Sequence, residues 1–99
     1  MADLLTWSLV AETKEYVGPL SMTLDGAPVA SFEVQLTRSD LRPSSSAWVS
    51  PVSVDGALRV LVGAGTSFPL VAGAKYIVWL RTTDSPEVPV YRAGFLRAT

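Results

Sequence analysis

At 99 residues the chain is one domain's worth of sequence, with a formal net charge of −1 and neither cysteine nor histidine. This excludes disulfides, thiolate chemistry and the usual zinc ligands, and it removes the commonest general base. No basic run offers itself to nucleic-acid phosphates or an anionic membrane, so neither partner is expected, and no cofactor.

Charged residues make up 17% of the chain and apolar ones 48%, against about 25% charged in ordinary domains. A small domain has much surface to cover, so this apolar surplus points to burial against a partner. Residues 1–99 read as a single domain, with 1–5 as a candidate terminal arm. The start, Met1 to Leu5, has no basic stretch followed by a long apolar core and does not read as a signal peptide.

Residues 4–10 alternate, with Leu5, Trp7 and Leu9 on one face, and read as a half-buried strand. Residues 16–24 read as a second strand broken at Gly18-Pro19, since proline cannot donate to a ladder. Asp25-Gly26 is a tight-turn signal. Residues 29–37 show the plainest alternation in the chain. Phe32, Val34 and Leu36 point one way; Ser31, Glu33, Gln35 and Thr37 point the other, toward water or a partner.

Residues 38–46 form the longest polar loop, and Arg38, Asp40 and Arg42 on it are candidate binding residues. Residues 47–54 read as an edge strand, because Pro51 lies within them. Asp55-Gly56 repeats the turn signal, and residues 57–62 follow with Leu58, Val60 and Val62 inward. After a glycine-rich link comes the longest clean strand, then a loop with Pro86 and Pro89. A last strand spans residues 90–98, with Gly94 as a bulge or close approach.

The spacing Leu70…Gly73-x-x-Tyr76-x-Val78 resembles the tyrosine corner of immunoglobulin-like sandwiches, where a tyrosine near the start of the sixth strand bonds back across the corner. About seven strands, no helix longer than a turn and regular turn signals predict an all-β fold. Its expected form is an immunoglobulin- or fibronectin-like antiparallel β-sandwich. In that register Tyr76, Val78 and Leu80 face the core, and Lys75, Ile77, Trp79 and Arg81 face outward. An outward Ile beside an outward Trp is costly to leave wet. The patch of Ile77, Trp79 and Leu96, with Arg81 and Arg92 at its rim, is therefore the expected interface. A one-residue slip would reverse both faces.

Other constellations have plainer readings. Trp7 reads as core. Trp48 reads as rim packing or, beside the polar loop, as a ligand contact. Arg81, Arg92 and Arg97, near Asp84 and Glu87, read as solvated cross-strand partners or as a charged rim that orients a neighbour. Asp25, Asp55 and Asp84 fit turn chemistry and do not have calcium-loop spacing. Ser44, Ser45 and Ser46 lack a base to activate them. No enzyme is expected.

Two runs carry a resemblance. One is Trp7-Ser8-Leu9-Val10-Ala11-Glu12-Thr13-Lys14-Glu15-Tyr16-Val17-Gly18-Pro19. The other is Tyr76-Ile77-Val78-Trp79-Leu80-Arg81-Thr82-Thr83-Asp84-Ser85-Pro86-Glu87, continuing with Pro89-Val90. Both are similar to small virion proteins of tailed phages infecting actinobacteria. The resemblance implies a structural role in the particle, on or near the capsid. The expected function is a decoration or cementing subunit that binds the major capsid protein lattice in many copies. A head–tail joint or tail protein is the near alternative. A carbohydrate- or cell-surface-binding module, and a periplasmic or secreted interaction domain, are the alternatives of other classes.

Overall fold

The computed structural model describes residues 5–21, 23–24, 27–29, 31–39, 41–44, 47–82 and 90–99. Among these residues there is no helix. The strands are β1 (Leu5–Leu9), β2 (Glu15–Val17), β3 (Thr23–Leu24), β4 (Ala27–Pro28), β5 (Glu33–Arg38), β6 (Val52–Val54), β7 (Ala57–Val62), β8 (Lys75–Arg81) and β9 (Val90–Ala98). Seven of them build two sheets, in the orders β1-β9-β8-β5 and β2-β7-β6, and β3 and β4 form a small ribbon. All pairings between neighbouring strands are antiparallel except that of β1 with β9, which is parallel.

Period-2 patterning dictates which side of each strand is buried. Val17, Val60 and Val62 of the smaller sheet meet Val34, Tyr76, Val78, Leu80, Leu96 and Ala98 of the larger one in one core. Trp7 and Leu9 pack against it from β1, as the alternation of that segment predicts. Each fully buried Leu or Val contributes roughly 1.5–3 kcal/mol relative to an exposed one. These facing residues therefore hold the two sheets together.

The turns agree with their sequence signals. Asp55 and Gly56 both take positive φ, 52° and 79°. That is the two-residue turn whose twist matches a hairpin, and it joins β6 to β7 with Val54 opposite Ala57. Leu24 pairs with Ala27 across the Asp25-Gly26 step, although those two turn residues lie outside the described residues. β2 ends before Gly18-Pro19, where the peptide is cis. The expected strand over residues 16–24 is thus two short strands in different sheets.

The expected strand over residues 47–54 is also divided. Val49 exchanges two backbone hydrogen bonds with Val34 of β5, 2.7 and 2.9 Å. After Pro51 the chain enters β6 at the edge of the other sheet. This segment therefore links the two sheets.

The corner at Tyr76 forms as its spacing predicts. The Val71 backbone N–H donates to the Tyr76 hydroxyl at 2.8 Å, and Gly73 takes a φ of 84°. Leu70 packs against the core. The corner fixes where β8 begins, and with it which residues of β8 face inward.

Three substitutions test this framework. Tyr76→Phe leaves the Val71 N–H without its acceptor and, since Val71 is exposed, should cost about 0.5–1.5 kcal/mol in urea unfolding. Gly63 has a φ of 110°, and a Cβ there would overlap the Thr13 carbonyl oxygen. Gly63→Ala should therefore cost about 3 kcal/mol or more. Gly73→Ala, which meets only open space, should cost about 1–2 kcal/mol.

Candidate functional site: the outer face of the four-stranded sheet

Residues directly opposite in an antiparallel pair share a face. On the outer face of the larger sheet, Glu33, Gln35 and Thr37 of β5 lie beside Arg81, Trp79 and Ile77 of β8. Val90, Arg92 and Phe95 of β9 stand opposite Arg81, Trp79 and Ile77 in turn. The register shifts between Val78 and Trp79, where Gly94 and then Arg92 are the partners. Ala93 is the extra residue of this bulge, close to the irregularity expected at Gly94. The bulge puts Arg92, in place of Ala93, against Trp79.

The loop after β5 folds over this face. Gln35 is 3% exposed although it points away from the core. Its side-chain oxygen accepts the Ser44 backbone N–H at 2.9 Å, and its amide nitrogen donates to the Ser44 carbonyl at 3.2 Å. The Trp48 indole N–H donates to that same carbonyl at 2.9 Å. Farther along β5, the Trp79 indole N–H donates to the Thr37 hydroxyl at 2.8 Å, and the hydroxyl donates to the Leu41 carbonyl at 3.1 Å. Two outward side chains of β5 thus hold the loop by its backbone.

Between loop and sheet lies a groove of about 580 Å³. Ile77 and Trp79 line it from the sheet, Leu41, Arg42 and Pro43 from the loop, and Val90 and Arg92 from β9. Of the lining residues Leu41, at 56%, and Val90, at 41%, are exposed, and Phe95, at 38%, is exposed on the same face opposite Ile77. The Arg92 guanidinium lies over the Trp79 ring, 5.5 Å from its centre. The Arg81 guanidinium lies 4.5 Å from the centre of the Trp48 ring and donates from Nε to Glu33 at 3.0 Å.

Several sequence expectations change here. Leu96 does not belong to the outer patch: it is 1% exposed and sits in the core, because it pairs with inward-facing Tyr76. Phe95 takes the outer position. Ile77 faces outward as expected but is 5% exposed; it lies outside the core cluster and forms the groove's floor. Arg81 pairs with Glu33 across the strands, whereas Asp84 and Glu87 lie outside the described residues.

Arg42 lines the groove. Arg38 is placed differently: it pairs with Tyr76 and reaches over that ring at 5.8 Å, on the core side of the sheet. Asp40 is outside the described residues. Trp48 is half-buried at the loop's far end.

A second apolar surface escaped the sequence reading. Tyr16 pairs with Leu61, and Val52 pairs with Arg59, all on the outer face of the smaller sheet around a smaller groove of about 340 Å³. Tyr16 and Val52 are exposed. Outward Leu61 was the signal, but its neighbours come from strands distant in sequence. Compared with family models, characterised proteins and solved structures, the chain matches none.

Gln35→Ala should release the loop. The expected loss is about 1–3 kcal/mol, with faster hydrogen exchange at the Ser44 amide and unchanged exchange in β7. Breaking the half-exposed Glu33–Arg81 pair by Glu33→Gln should cost under about 1 kcal/mol.

Proposed function

We propose that this chain is a non-enzymatic virion structural protein of immunoglobulin-like fold. In this reading it decorates the lattice formed by a major capsid protein, and it attaches through the outer face of its four-stranded sheet. The strand order supports the fold. A β2-β7-β6 sheet opposite a sheet in which β8 lies between β5 and β9 corresponds to the B-E-D and C-F-G arrangement of immunoglobulin domains. The tyrosine corner at the start of β8 is a second hallmark of such domains.

The observation that carries the functional reading is the groove face itself. Leu41, Val90 and Phe95 remain exposed there, while a polar loop is bonded down beside them through Gln35 and Thr37. An apolar centre with cationic edges is the anatomy of a protein interface. The carbohydrate reading draws less support. A sugar platform needs an open aromatic face, and here Arg92 lies over Trp79 and Arg81 over Trp48. A place at the head–tail joint would use the same face at lower copy number.

Purified protein should co-sediment with particles that lack it and reach a lattice-scale copy number. Leu41→Asp and Phe95→Asp should each weaken attachment about tenfold or more, whereas Tyr16→Asp on the opposite sheet should not. Equal attachment by all three variants would remove this face as the interface.

A further inference from the structure

We infer that the groove between the loop and β8 takes an extended partner segment in which acidic and aliphatic side chains alternate. This deepens the reading of the outer face as an attachment surface and rests on it. The outer face of the sheet carries Lys75, Arg81, Arg92 and Arg97 against one carboxylate among the described residues, Glu33. That carboxylate is bonded to Arg81. Arg42 adds a further cation from the loop wall. Among the described residues, neither Arg42 nor Arg92 has an ion-pair partner.

The geometry of the groove matches this charge. Arg92 and Arg42 line it together with aliphatic Leu41, Ile77, Pro43 and Val90. Arg92 is held over Trp79, so its guanidinium is pre-positioned and loses little freedom on meeting a carboxylate. Guanidinium groups bind carboxylates through paired hydrogen bonds. Aliphatic side chains, which have no polar group to satisfy, suit the floor between them. An anionic glycan fits less well, because it would place hydroxyls against Ile77, Leu41 and Val90.

The test uses the full chain and a fluorescent synthetic peptide of alternating Glu and Leu, with a matched Lys-Leu peptide and heparin as comparisons. The Glu-Leu peptide should bind and the Lys-Leu peptide should not. Binding should weaken as salt rises. Arg92→Glu should reduce affinity about tenfold or more, while Arg59→Glu on the other sheet should change it less than about twofold. Equal binding of both peptides, or equal effects of the two reversals, would overturn the inference, as would heparin binding without Glu-Leu binding. Particle attachment without peptide binding would sink this inference alone. Peptide binding without particle attachment would uphold the groove and sink the capsid role.

Discussion

Everything on this molecule's larger sheet depends on β8 being covered on both sides. Inward, Tyr76, Val78 and Leu80 are buried in the core; outward, Ile77 is also buried, at the floor of the groove. A strand buried on one face fixes its register through that face, because a one-residue slip would exchange the two sets of side chains. Here a slip would cost both sides at once. It would also break the bond from Val71 to the Tyr76 hydroxyl. β5 and β9 take their registers from β8, so the cross-strand partners of Trp79, Arg81 and Ile77 follow from that one placement.

The inner half of this arrangement was legible in the sequence. Tyrosine three residues after a glycine, and then alternating apolar residues, specify a corner and a strand face. Asp55-Gly56 specifies a hairpin because those residues tolerate positive φ. The outer half was much less legible. Alternation assigns Gln35 to the face opposite the core, and its polarity suggests water. Its burial comes from Ser44, whose backbone it binds. Nothing local to Gln35 announces that contact.

Leu96 illustrates a second limit. Its own strand shows which residues share its face, but which face that is depends on pairing with Tyr76. The bulge at Ala93 then re-aims Arg92 onto Trp79. A glycine at 94 hints at such an irregularity without saying which side chain it redirects. Long-range pairings of this kind also joined Glu33 to Arg81 and Tyr16 to Leu61, and period alone cannot supply them.

The proposed attachment face is built on the strand that stabilises the fold. Trp79 helps to tie down the loop through Thr37 and also forms the floor of the groove. These bonds hold the loop against the sheet before any partner arrives, which lowers the entropic cost of binding. The smaller sheet offers a rival surface around Tyr16 and Val52, with less charge and a smaller groove.

Hydroxyl-radical footprinting of the protein, free and attached to particles, distinguishes these two surfaces in one measurement. Attachment through the groove face should protect Leu41, Val90 and Phe95 and leave Tyr16 and Val52 as reactive as in the free protein. Protection of Tyr16 and Val52, with Leu41, Val90 and Phe95 unchanged, would contradict it.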